Sequence, residues 1–200
     1  SPILDVDGRP SLFLKQQIQG YCDEDPSVKH QKALPMIVFQ RMWKNKRTNL
    51  DRAIGELVNG ALFFAMRSCE YSTVQGQRKT KLLTVNDIRF FKNKKRMPHS
   101  SKTLHLADVV SITFRFQKNK KKEDTVTQYR SMTIPCPVTA WAAVVIRILG
   151  YPGTTGDSPV NTLLAGKTLI KIPSKTILAS IRVTVTAIGV DILGFYAHEV

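Results

Sequence analysis

Arg67 and Glu70 form the first candidate functional pair in the sequence, because the glutamate follows the arginine by three positions. A guanidinium group donates paired hydrogen bonds in a fixed fork, which suits it to hold a phosphate or a carboxylate. The same spacing is common on helix surfaces, where such a pair stabilises the helix by only roughly 0.2–0.5 kcal/mol. The pair alone therefore leaves a ligand-binding and a purely structural interpretation open.

A second chemically suggestive group is the segment 118–124, which reads Lys-Asn-Lys-Lys-Lys-Glu-Asp and contains no apolar residue. Such a segment is typical of a turn between two strands, and its lysines either contact phosphate groups or form a solvated tip that protects the hairpin from edge pairing. Charge alone does not rank Lys118, Lys120, Lys121 and Lys122 against one another.

The charge of the whole chain is concentrated around these lysines. The chain carries 30 Lys and Arg against 15 Asp and Glu, a formal net charge of +15, and residues 78–130 alone hold 15 basic and 4 acidic residues. Phosphate backbones bind such basic stretches by releasing counterions, so nucleic acid is the expected partner. A solvated surface and a nuclear-import signal remain the alternatives.

Other classes of protein find little support in the sequence. No apolar run approaches the roughly 18 residues that span a bilayer, and residues 1–10 lack the basic-then-apolar order of a secretory signal. The three cysteines, Cys22, Cys69 and Cys136, are far apart and lack a C-x-x-C pair, so neither a disulfide framework nor a metal site is expected. We therefore expect an intracellular protein, nuclear in a eukaryote, without metal, cofactor or membrane partner.

Apolar residues at three-and-four spacing predict helices before and after the basic stretch. A first helix is predicted over 28–43, beginning near Pro35, and a second from a cap at Thr48 or Asn49 to about Met66, with Arg67 at its C-terminal end. Two more are expected over 140–149, closed by Gly150, and from a cap at Ser174 to Gly189.

Three strands are predicted between these helices, over 87–91, 109–117 and 125–133. The second is the clearest, because Val110, Ile112, Phe114 and Phe116 alternate with polar residues at the period of two expected of a half-buried strand. The expected fold is therefore α+β and mainly α, with helices around a small three-stranded antiparallel sheet that carries a basic β-hairpin. Residues 1–28 are expected to form a lead-in segment, and 29–200 the folded core.

The segment 60–71, Gly-Ala-Leu-Phe-Phe-Ala-Met-Arg-Ser-Cys-Glu-Tyr, resembles the first arginine box of tyrosine recombinases, the DNA strand-transfer enzymes of the phage-integrase type. In that family an apolar helix is followed by Arg and, three residues later, by Glu. The segment 82–88, Leu-Leu-Thr-Val-Asn-Asp-Ile, is similar to the family's next segment, in which a leucine and an Asp-Ile pair lead into the first strand. The residues around Arg67 differ from the commoner Thr-Gly-x-Arg box. They look more like those of recombinases from eukaryotic mobile elements of the crypton and tyrosine-recombinase retrotransposon groups.

The resemblance implies roles for individual residues. Arg67 would hold the negative charge that develops on the nonbridging phosphate oxygens, and Glu70 would support it through an ion pair. The family's catalytic lysine lies in the turn between the second and third strands and protonates the leaving deoxyribose oxygen, which points to Lys118, with Lys120 a close second. The remaining basic residues are expected to bind DNA. They are Arg78, Lys79, Lys81, Arg115, Lys120, Lys121 and Lys122.

The family's later motifs are not complete in this chain. These are a His-x-x-Arg box and a tyrosine nucleophile that forms a 3′-phosphotyrosyl link to DNA, and the five tyrosines present all precede the place where it is expected. We therefore expect a C-terminally incomplete core that binds duplex DNA but does not cleave it, and whose parent self-associates on DNA. The alternatives are a non-catalytic basic nucleic-acid-binding module or degenerate mobile-element remnant, and a ribosome- or chromatin-associated protein.

Overall fold

The computed structural model describes residues 34–75, 81–116 and 122–189, so the lead-in predicted over 1–28 lies outside the described residues. The fold is mixed α and β, as expected. Its helices are α1 (Met36–Lys44), α2 (Asn49–Leu62), α3 (Ser68–Tyr71), α4 (Pro137–Leu149) and α5 (Ser174–Ala187).

Helix α2 begins where the sequence predicts. The Thr48 hydroxyl accepts a hydrogen bond from the Asp51 N–H at 3.0 Å, and the Asp51 carboxylate accepts one from the Thr48 N–H at 3.1 Å. This reciprocal pair satisfies two backbone donors that a helix start leaves unpaired. The predicted cap is confirmed.

The end of α2 is earlier than predicted, at Leu62 instead of Met66. Ala65 adopts the left-handed conformation with φ 47°, and the N–H groups of Ala65 and Met66 bond to the carbonyls of Leu62 and Ala61. These two bonds form the Schellman motif that commonly terminates a helix. As a result Arg67 is not the end of α2 but the residue that precedes α3.

The later helices also differ in detail from the prediction. Helix α4 starts at Pro137, three residues before the predicted start, because proline is well tolerated in the first turn. Ser174 is the first residue of α5 and not its cap, a position that Pro173 takes.

The main sheet has four antiparallel strands instead of three, in the order β2-β1-β3-β4. The strands are β1 (Ile88–Lys92), β2 (Lys95–Met97), β3 (Val109–Phe116) and β4 (Lys122–Tyr129). The additional strand β2 pairs with β1 through a two-residue turn at Asn93 and Lys94, which both have positive φ angles. A two-residue turn of this kind matches the twist of a hairpin, but it is usually marked by glycine, which explains why the sequence did not reveal it.

A separate two-stranded sheet, also unpredicted, consists of β5 (Thr162–Ala165) and β6 (Thr168–Lys171). Strand β6 is exposed along its whole length, so it has no buried face to produce an alternating pattern. Gly166, with φ 61°, lies in the connecting turn.

The core lies between the main sheet and α2 and α4. Phe90 and Ile112 from the sheet and Trp141 from α4 are fully buried. The Trp141 Nε1–H donates to the Gly60 carbonyl at 3.1 Å, and a Cβ at Gly60 would lie 2.8 Å from the indole, so the close approach of α2 and α4 requires glycine there. Within the described ranges, no helix combines the length and apolar character needed to cross a bilayer.

Candidate nucleic-acid interface

Arg67 lies in the short connection between α2 and α3, and its side chain is exposed. Its backbone N–H donates a 2.8 Å hydrogen bond to Glu70 Oε2, and the Glu70 N–H donates to the Arg67 carbonyl at 2.9 Å. The buried Glu70 carboxylate thus caps α3 and fixes the backbone from which Arg67 projects.

This contact differs from the predicted one. We expected an ion pair between the Arg67 and Glu70 side chains, whereas the ion pairs between described residues are Arg115 with Asp87 and Arg147 with Glu56. Glu70 therefore positions the main chain of Arg67 and does not occupy its guanidinium group, which faces solvent.

Tyr71 follows in α3 and is buried. Burial, with smaller contributions from the nearby Cys69 and Glu70, raises the pKa of its phenol to about 12. The phenol therefore keeps its proton at neutral pH and contributes to packing.

A continuous set of hydrogen bonds joins α3 to the start of β1. The Leu83 N–H donates to the Glu70 carbonyl at 2.9 Å. Next along the chain, the N–H and hydroxyl of Thr84 both donate to Asp87 Oδ2, at 2.9 and 2.8 Å. Arg67, Glu70, the Asp87-Ile88 pair and the start of β1 therefore belong to one connected local structure.

Asp87 in turn contacts Arg115 near the end of β3. The Nε–H of Arg115 donates to Asp87 Oδ1 at 2.6 Å, and the Arg115 side chain is 47% exposed while Asp87 is 4% exposed. The carboxylate is thus buried and shared between Thr84 and Arg115. Arg115, a predicted DNA contact, is anchored at one nitrogen and still half accessible beside the β3–β4 turn.

One face of the sheet, which we call the outer face, carries Arg89, Ser111 and Thr127 in register across β1, β3 and β4. Alternation along β3 places Arg115 on the same face. Ser111 and Thr127 are joined through their hydroxyls at 2.8 Å, and the exposed Arg89 stands beside them. Sequence reasoning missed Arg89, although its place between the buried Ile88 and Phe90 identifies it as an outward residue.

The β1–β2 hairpin is a second basic projection that the sequence did not reveal. All four of its basic residues are exposed: Lys92, Lys94, Lys95 and Arg96. The described basic residues within 78–130 thus include a group on the β1–β2 hairpin as well as those on the outer face.

Most of the predicted DNA contacts lie outside the described residues: Arg78, Lys79, Lys118, Lys120 and Lys121. The side chain of Lys122 lies outside them too, although its backbone begins β4. Lys81 is described and exposed. The described part therefore holds Arg67, Glu70, Lys81 and Arg115 of the predicted site.

No match is found when the chain is compared with protein-family models, with curated proteins and with solved structures. The site must therefore be interpreted from its own chemistry. Among the residues that the structure describes, no group of three His, Cys, Asp or Glu side chains could hold a metal ion. What this region offers chemically is a set of exposed cations, with hydroxyl groups between them on the outer face.

Proposed function

We propose that this chain is the DNA-binding core of a tyrosine-recombinase-like protein that acts in DNA recombination or integration. In the complete protein, Arg67 would hold the scissile phosphate, and Lys118, or else Lys120, would protonate the leaving oxygen. A tyrosine supplied beyond these motifs would form the 3′-phosphotyrosyl link. Protomers would assemble on paired DNA sites.

The observation that carries this proposal is the backbone at Ala65. When the commoner Thr-Gly-x-Arg box is aligned on Arg67, its glycine falls at position 65. Ala65 has φ 47°, a left-handed conformation that glycine adopts without steric cost and other residues adopt rarely. A glycine at this position would adopt that conformation without strain, and this agreement with the family box supports the proposal.

The hydrogen bonds that follow Arg67 support the same proposal. They run from Glu70 through Leu83 and Thr84 to Asp87, and from there to Arg115 at the base of the β3–β4 hairpin. An arginine that must act together with a hairpin lysine needs a fixed relation to that hairpin. These bonds tie the two segments together locally.

The composition of the outer face also suits a nucleic-acid backbone. Most protein–DNA hydrogen bonds go to phosphate and sugar, and Arg, Lys, Ser and Thr side chains supply many of them. Arg89, Arg115 and the exposed Thr125 and Thr127 provide such donors. Direct base recognition is not needed for this part of the binding.

The salt dependence of duplex-DNA binding tests the proposal. The variant Lys118→Ser/Lys120→Ser/Lys121→Ser/Lys122→Ser should lower the slope of log affinity against log salt by about 3 to 4, because each lost phosphate contact removes about 0.9. The matched control removes the same charge from exposed residues of β6, α5 and the turn before β6: Lys167→Ser/Lys171→Ser/Lys175→Ser/Arg182→Ser. Its slope should stay within about 1 of the parent's.

Two results would count against the proposal. Equal effects of the two variants would mean that overall charge governs the binding. A slope near zero for the parent chain would mean that duplex DNA is not an electrostatic partner.

A further inference from the structure

A cleft of about 580 Å³ includes none of the proposed DNA-binding residues in its lining. It is formed by the α1–α2 connection, α2, α4 and the short helical turn around His105. Its volume falls in the range of roughly 300–1,000 Å³ that is typical of small-molecule sites. The lining residues used below are Trp43, Lys46, Arg52, Glu56, Arg147 and Tyr151.

Arg147 is the fixed cation of this cleft. Its side chain is only 8% exposed, and it donates from Nε to Glu56 at 2.6 Å and from Nη1 to the Thr162 carbonyl at 2.6 Å. Its Nη2 is buried and has no hydrogen-bond partner among the residues that the structure describes. Because a buried guanidinium donor without an acceptor is costly, a ligand acceptor that reached it from the cleft, which Arg147 lines, would be favoured.

Two further cations converge on the same place. Burial raises the pKa of Glu56, while the positive charges of Arg147, Arg52 and Lys46 act in the opposite direction. All three cations are therefore within electrostatic reach of one carboxylate. Arg52 and Lys46 are exposed, so the cleft has three cations against one anion, two of them free to turn toward a ligand.

Aromatic rings stand beside these cations. The Lys46 ammonium lies 5.5 Å from the ring centroid of Trp43, and the Arg147 guanidinium lies 6.0 Å from that of Tyr151. Trp43 is half-buried and lines the cleft. A ligand with a planar ring and a phosphate can use the indole and the cations together, which an inorganic anion or an acidic side chain cannot do.

We propose that this cleft binds a nucleoside phosphate, with the phosphate at Arg147, Arg52 and Lys46 and the base against Trp43. The proposal does not depend on the proposed recombinase function, because the two sites share no residue.

Binding of AMP, adenosine and inorganic phosphate, measured by isothermal titration calorimetry and by Trp43 fluorescence, tests the proposal. AMP should bind at one site and at least about tenfold more tightly than either fragment, since it engages both halves of the cleft. The buried Trp141 should not respond. A Glu-rich peptide serves as the competitor of different chemistry.

The variant Lys46→Ala/Arg52→Ala should weaken AMP binding by about tenfold or more, because charge-assisted hydrogen bonds are lost. Both residues are exposed, so the fold should be retained, which circular dichroism verifies. Lys175→Ala/Arg182→Ala on α5 is the matched control and should bind AMP like the parent. Trp43→Leu should remove the advantage of AMP over phosphate.

Three outcomes would overturn the proposal: no saturable AMP binding, equal affinity for AMP and phosphate, or binding of the acidic peptide at the same site with similar affinity. Arg67→Ala distinguishes this site from the proposed DNA site. That variant should bind AMP normally whether or not it binds DNA.

Discussion

Two arginine–carboxylate pairs with the same 2.6 Å separation stand in very different surroundings. Arg147 and Glu56, between α4 and α2, are 8% and 9% exposed, whereas Arg115 and Asp87, at the main sheet, are 47% and 4% exposed. In the first pair both charges are removed from water. In the second, only the carboxylate is buried, and the arginine remains half accessible.

The difference between the pairs separates a charge on which the packing depends from one that stability largely does not require. Removing one member of a buried pair leaves an uncompensated charge inside the protein and is strongly destabilising. A half-exposed arginine contributes far less, because water screens it. In addition, Asp87 keeps two hydrogen bonds from Thr84 when Arg115 is removed. We infer that Arg147 maintains the packing of α2 on α4. The pair of Arg115 with Asp87 holds Arg115 near the surface and contributes little to stability.

The largest predicted effect tests this inference directly. Arg147→Met should lower the free energy of unfolding by about 3–5 kcal/mol, whereas Arg115→Met should lower it by no more than about 1 kcal/mol. Urea denaturation of both variants measures the contrast. Equal losses would show that burial does not distinguish the two pairs.

The pH dependence of the Arg147→Met variant sharpens the comparison. Burial already raises the pKa of Glu56 above its ordinary value of 4.5, and loss of Arg147 removes the main opposing influence. A carboxyl group whose pKa is raised on folding favours the folded state below its ordinary pKa, and this advantage is lost as the pH rises through the raised value. The destabilisation should therefore be smaller at about pH 5 than at about pH 8. The added substitution Glu56→Gln should abolish that difference.

A smaller effect on the free energy of unfolding, of opposite sign, is predicted next to Arg67. Ala65→Gly should raise the free energy of unfolding by about 1 kcal/mol, because glycine relieves the steric cost of the left-handed conformation at φ 47°. Ala61→Gly, in the last turn of α2, is the matched control and should destabilise the protein, because α-helical backbone disfavours glycine. Destabilisation by both substitutions would contradict the Schellman termination of α2.

Local sequence signals predicted much of the fold. The Thr48–Asp51 cap located the start of α2, and the alternation of Val110, Ile112 and Phe114 located β3. Strand β2 was not predictable in this way, since Lys94 occupies the turn position that glycine usually marks. Ala65 also hid the end of α2, because alanine is the strongest helix former and here occupies a position normally marked by glycine.

The two candidate sites also differ in how far the sequence predicts them. Arg67 and Glu70 could be identified because a short motif contains both, but the direction of their contact required the structure. The cleft combines Trp43 and Arg52 with Arg147, which lies more than 90 positions further along the chain, and no local pattern connects them. Only the packing of α4 against α2 brings them together.

The affinity of the Arg67→Lys variant for duplex DNA, with Arg182→Lys as the control, tests the central claim most directly. Lysine keeps the charge but not the fork of paired donors, so a phosphate-holding arginine is not replaced by it. We predict that Arg67→Lys weakens binding by about tenfold with unchanged thermal stability, since a bidentate contact to phosphate is lost. We predict no change for Arg182→Lys. Equal affinities of the parent and the Arg67→Lys variant would contradict the role of Arg67 as a phosphate clamp.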